Sequence, residues 1–103
     1  MKHRIEFSPV ARDDLRALYL YISKHASPER AMAYIDRIEG FCRTFVDFPE
    51  RGLRRDDLFP GLRVVGFERR ISVAFGVTQD AVIFYRFLYG GRDLVSALKA
   101  EET

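Results

Sequence analysis

One cysteine, two histidines and no tryptophan or asparagine occur among the 103 residues. The lone Cys42 excludes an internal disulfide framework and fits a reducing, cytoplasmic setting. A zinc site needs three or four N, S or O ligands, and His3, His25 and Cys42 fall in different predicted elements without ligand spacing. No metal and no cofactor is expected. A Ser–His–acid triad would have to recruit His3 or His25, one in a predicted strand and one in a turn. Gly90-Gly91 lacks both the spacing and the following Lys-Ser/Thr of a phosphate loop. No stretch approaches the ~18–20 apolar residues of a membrane-spanning helix. The opening Met1-Lys2-His3-Arg4-Ile5-Glu6 lacks the apolar run of a signal peptide. A soluble cytoplasmic domain without membrane contact is therefore expected.

Net charge is also scarce: +2 is too small to identify a nucleic-acid binder. Its distribution says more. Residues 12–48 carry six basic and six acidic side chains, whereas residues 49–70 hold six arginines against Glu50, Asp56, Asp57 and Glu68. Arginine outnumbers lysine fourteen to three. Codon usage accounts for such a ratio, and so does an interface that uses guanidinium forks to hold carboxylates or phosphates; composition leaves both open. With 48% hydrophobic and 31% charged residues and no repeat or linker, residues 1–103 read as one globular domain.

His3 to Phe7 alternates like a strand. Ser8-Pro9 then places a capping side chain before a proline at the first helical position, where its missing N–H costs nothing. Ala11, Leu15, Leu18 and Ile22 follow on one face, predicting a helix that stops near Lys24-His25-Ala26. Ser27-Pro28 repeats the start signal, and Ala31, Ile35, Ile38, Cys42 and Phe45 form a second stripe, predicting helix from Pro28 to about Asp47. The short connection requires an antiparallel helical hairpin. Gly40 would allow the first helix to approach closely. Residues 49–61, punctuated by proline and glycine, read as an ordered loop.

From Leu62 the period becomes two. Strands are predicted over residues 62–68, 71–78 and 81–89, with turns at Glu68-Arg69-Arg70 and Thr78-Gln79-Asp80. Apolar residues on both faces of Ala81 to Tyr89 mark a central strand. Gly90-Gly91 breaks it, and Asp93 to Ala100 has the makings of a short helix. The order β-α-α-β-β-β predicts an α+β domain: a helical hairpin packed on one face of a mostly antiparallel sheet, the other face partly open.

Within this frame Arg86 is conspicuous in an otherwise apolar strand. A charge there is either paired structurally or presented at a rim to a partner or phosphate. Tyr85 and Tyr89 flank it as core aromatics or phenols with chemistry, and Arg63, Arg69 and Arg70 line either a solvated edge or a contact surface. Asp13-Asp14 and Asp56-Asp57 read as solvated.

The succession Phe7-Ser8-Pro9, Ala11, Asp14-Leu15, Ile22, Ala31, Tyr34-Ile35 and Ile38 is followed by Pro49, Gly52, Arg54, Leu58, Pro60-Gly61-Leu62-Arg63 and Tyr85 to Leu94. Together these resemble the RelE/ParE superfamily of bacterial type II toxins over nearly the whole chain. The last segment looks most like ParE members, which often carry Arg-Val-Leu-His-Gly and then Arg-Asp. Here the run is Arg86-Phe87-Leu88-Tyr89-Gly90 with Arg92-Asp93 after it, Tyr89 standing where histidine is common. The resemblance implies a toxin neutralised by a cognate antitoxin, in a toxin–antitoxin hetero-oligomer. A ParE-like member would inhibit DNA gyrase by binding, through target contacts at Arg86, Tyr89 and Arg92. A RelE-like member would cut mRNA on the ribosome, with Arg63, Tyr85, Arg86 and Tyr89 as the catalytic set. Antitoxin contacts are expected at Tyr19, Tyr34, Arg63, Phe67, Arg69 and Arg70, being apolar or cationic without an evident core role.

Overall fold

A computed structural model describes residues 2–90. Strand β1 (Arg4–Phe7) leads into helices α1 (Pro9–His25) and α2 (Pro28–Arg43), followed by strands β2 (Leu53–Arg54), β3 (Arg63–Phe67), β4 (Ile71–Val77) and β5 (Ala81–Tyr89). Both serine caps form: Ser8 Oγ accepts from the Ala11 N–H at 3.0 Å and Ser27 Oγ from the Arg30 N–H at 3.1 Å. Lys24 and His25 in the last turn of α1 complement the helix dipole.

The sheet runs β1-β5-β4-β3-β2. The β2 to β5 neighbours are antiparallel, whereas β1 lies parallel to β5 with Arg4 opposite Ala81 and Phe7 opposite Phe84. The helical hairpin covers one face, and the core lies between the layers. Phe45 packs edge-on against both Phe75 (5.0 Å) and Phe84 (5.2 Å), with Ile38, Val73 and Val82 around them. Cys42 belongs to this core, and burial pushes its thiol up to about 12.

Several expectations need correction. α2 stops at Arg43 and a 3₁₀ turn takes over at Thr44–Val46, short of Asp47; the Thr44 hydroxyl donates to the Phe41 carbonyl there. The loop over residues 49–61 contains the two-residue strand β2. Part of the sheet face away from the helices is covered, Leu58 and Phe59 of that loop packing with Tyr85 over Leu62 and Ala74. Gly40 does not admit α1: a Cβ there would meet only Arg43 of its own helix, at 3.6 Å. The helix expected over Asp93 to Ala100 lies outside the described residues.

The β4–β5 register slips by one residue between Ala74 and Phe75, leaving Tyr85 as the extra residue of a bulge. Gly76 matches this bulge, because a Cβ there would come within 2.9 Å of the Tyr85 hydroxyl. β1 pairs with β5 only as far as Phe84. Beyond it, side chains of the capped helix take over the strand's free edge. Ser8 Oγ donates to the Tyr85 carbonyl at 3.0 Å, and Asp14 Oδ2 accepts from the Phe87 N–H at 2.9 Å. Polar backbone that would otherwise be buried unpaired is thereby satisfied.

Candidate functional site

At the end of the hairpin where α1 connects to α2, a groove of roughly 460 Å³ lies between the helices and the β3–β4 turn. Arg30, Ala33, Tyr34 and Arg37 line it from one face of α2, at the spacing of successive helical turns. Ile22 and Ala26 close its base, Glu68 and Arg70 come from the turn, and Tyr89 comes from the end of β5. Three arginines therefore face one carboxylate, on walls that are otherwise aliphatic and aromatic.

The turn positions its charges through an uncommon backbone. Glu68 (φ 50°) and Arg69 (φ 59°) both adopt positive φ without being glycine. The Arg70 N–H donates to the Phe67 carbonyl at 3.1 Å and the Gly90 N–H to the Arg70 carbonyl at 3.0 Å, tying the turn to the end of β5. Arg37 clasps Glu68 with two bonds, Nε to Oε2 at 2.9 Å and Nη2 to Oε1 at 3.1 Å. That guanidinium holds the Glu68 carboxyl below its ordinary range. It also lies 4.9 Å from the centre of the Tyr34 ring, within cation–π reach. The Tyr34 phenol is pushed up, first by burial and then by the Glu68 carboxylate.

The residues proposed from sequence separate into groups. Tyr34, Arg70 and Tyr89 meet in the groove, and Phe67 supports it from below, 6.1 Å from the Tyr34 ring and 5.0 Å from Phe41. Phe67 and Tyr34 are core residues, 8% and 7% exposed, contrary to the expectation that they lack a core role. Arg69 stands exposed on the turn. Tyr19 belongs to a different depression, with Phe7, Arg12, Arg16 and Ile35. Arg63 reaches back to the Arg51 carbonyl at 3.4 Å. Arg92 lies outside the described residues.

Arg86 is buried. Its Nε and Nη2 donate to Asp14 at 2.8 and 3.0 Å, with side-chain exposures of 7% and 8%. Of the two readings left open for Arg86, the structural pair is the one the fold contains. Asp14 is correspondingly not solvated. Tyr85 packs against Phe59 at 5.6 Å on the sheet face away from the helices. Of the set Arg63, Tyr85, Arg86 and Tyr89, the first two make their contacts apart from the others, while Tyr89 lines a cleft with Asp14, the partner of Arg86. Among the described residues no three His, Cys, Asp or Glu side chains converge as metal ligands would, and no helix is long and apolar enough to cross a membrane.

Arg30, Arg37 and Glu68 line the groove without being among the residues proposed from sequence. The i, i+4, i+7 spacing of Arg30, Tyr34 and Arg37 places the three on one helical face and is the signal that could have found the two arginines. Glu68 looked like an ordinary turn residue.

The profile of the ParE toxin of the type II toxin–antitoxin system parDE matches residues 5–98. Among solved structures, a chain from the chromosomal ParDE TA system from P. aeruginosa superposes with a TM-score of 0.74 at 22% identity, covering 85% of this chain and 96% of that one. A chain of the E. coli DinJ-YafQ toxin-antitoxin complex superposes with a TM-score of 0.51 at 13% identity, covering 86% and 93%. These two likenesses bear on the fold. No curated protein matches.

Proposed function

The chain belongs to the ParE toxin family of type II toxin–antitoxin systems, and from that premise we propose that it is a toxin held inactive by a cognate antitoxin and acting in the cytoplasm by binding DNA gyrase. The observation that carries binding over RNA cleavage is the Asp14–Arg86 pair. Cleavage through a 2′-hydroxyl needs a base, an acid and a phosphate-stabilising cation around one phosphate, within hydrogen-bond reach. Arg86 is the cation that sequence places nearest to two phenols, and it is committed to Asp14 in the protein interior. Arg63 and Tyr85 make their contacts elsewhere. The chain then works as a surface, with Tyr89 as a target contact and Arg92 as a second.

An antitoxin partner fits the groove. Its aliphatic base takes an apolar stripe, and its arginines take acidic side chains. Such an interface concentrates its energy in a few arginine and aromatic anchors.

The purified chain is expected to inhibit gyrase supercoiling, or to trap cleaved DNA, in a reaction without ribosomes, and addition of the antitoxin should restore supercoiling. Unaffected supercoiling together with new cuts in mRNA on translating ribosomes would replace this reading with the nuclease.

A further inference from the structure

One polar group in the groove has unfinished bonding. Tyr34 is 7% exposed, and its hydroxyl is shut from solvent without a hydrogen-bond partner among the described residues. A hydroxyl in that state bears its full desolvation cost with nothing in return, so native proteins leave few of them. The charged and titratable groups that act on it are Arg37 from α2, Glu68 and Arg70 from the turn, and Tyr89 from β5.

Those neighbours define what is missing. Glu68 is already held by both arms of Arg37. Arg70 makes only a 3.5 Å contact with the Tyr89 hydroxyl, at the outer limit of a hydrogen bond. Neither Arg70 nor Arg30 has an ion pair with another described residue. One donor and two cations thus converge on a cleft whose own carboxylate is spent. We propose that the groove is a carboxylate site, in which one Asp or Glu side chain of the partner accepts from the Tyr34 hydroxyl and pairs with Arg70 and Arg30.

The inference rests on the antitoxin reading and adds the chemistry of the side chain seated there. The occupant is an amphipathic segment, since Ile22, Ala26 and Ala33 demand apolar contacts on either side of the acid. The hydroxyl is covered in the isolated chain, so a flanking side chain must swing for the carboxylate to reach it. Arg70 is exposed, is held by one long contact, and moves with the incoming charge.

The test is calorimetric titration of the full chain with its antitoxin, comparing wild type, Tyr34→Phe and Arg70→Gln. Tyr34→Phe should weaken binding about tenfold, as loss of a hydrogen bond to a charged acceptor does. Its free form should melt no lower than wild type, because the substitution removes an unsatisfied hydroxyl and keeps the ring. A merely structural tyrosine would not separate these two readouts. Replacing each acidic residue of the antitoxin by its amide should reveal one position whose effect is not additive with Tyr34→Phe. Unchanged affinity of Tyr34→Phe, or additivity at every acidic position, overturns the carboxylate site while leaving the antitoxin reading intact. Wild-type chain that fails to bind the antitoxin overturns that reading, and the site with it. Self-association of the antitoxin-free chain that Tyr34→Phe abolishes would give the groove to a second copy and equally overturn the proposal.

Discussion

Asp14 carries three hydrogen bonds at a position that water scarcely reaches. Two come from the Arg86 guanidinium and one from the Phe87 N–H. A buried pair of this kind adds little net stability against an apolar replacement, but removing one partner strands the other in a medium that solvates it poorly. Asp14→Ala should therefore lower the unfolding free energy by ~3–5 kcal/mol, measured by urea denaturation. Asp14→Asn should lose less, because the amide oxygen still accepts from Phe87. The adjacent Asp13 is the control: its side chain is 70% exposed and lies 3.9 Å from Arg16. Asp13→Ala should change stability by no more than about 0.5 kcal/mol. Adjacent residues of one type thus have opposite roles because successive helical positions point about 100° apart.

The β3–β4 turn shows the same economy in an element. Positive φ at both central residues suits the twist of a tight hairpin, which is why Asn-Gly is the usual choice there. Glu68 and Arg69 occupy those positions, each at a cost of ~1–2 kcal/mol relative to a glycine-like backbone. Glu68 has a visible return in its pair with Arg37. Arg69 makes no ion pair with another described residue. Arg69→Gly should therefore raise stability by ~0.5–1 kcal/mol, the left-handed relief less the backbone entropy of glycine, seen as a higher melting temperature. A loss of antitoxin affinity in the same variant would identify Arg69 as a contact retained despite its strain.

Over the whole molecule, exposed carboxylates held by arginine and backbone N–H groups add a small pH-dependent contribution to stability. Asp56, Asp57, Glu68 and Asp80 all titrate below their ordinary values. The largest cause is the Gly61 N–H for Asp56, and a hydrogen bond from Arg55, Arg37 and Arg4 respectively for the others. A carboxyl depressed in the folded state contributes stability above its unfolded value and loses it as the pH falls toward the folded one. The unfolding midpoint in urea should accordingly hold near neutrality and fall as the pH drops through 4.5 and 3.8, the ordinary values of Glu and Asp. All four groups are exposed, so each contributes little. Glu68→Gln should make the fall shallower. About 1 M salt, which shortens the Debye length to ~3 Å, should do the same.

What the sequence by itself determined is whatever acts over a few residues. Ser8-Pro9 and Ser27-Pro28 start the helices where the caps form, and Glu68-Arg69-Arg70 and Thr78-Gln79-Asp80 are the turns. The change of period near Leu62 marks where helix gives way to sheet. Such signals are legible because hydrogen bonds to neighbouring backbone and the spacing of apolar residues need no knowledge of the rest of the chain. The central place of β5 was legible, but the parallel seat of β1 beside it was not, since it joins the two ends of the described chain and neither strand marks its partner or direction. Nor was the choice of Asp14 over Asp13 as the partner of Arg86, 72 residues away, or the meeting of Arg30, Tyr34 and Arg37 with Glu68, Arg70 and Tyr89. Only the packed tertiary structure decided these. A long side chain satisfies its charge with whichever group the fold brings within reach, and several distant groups were equally eligible until helix and sheet came together.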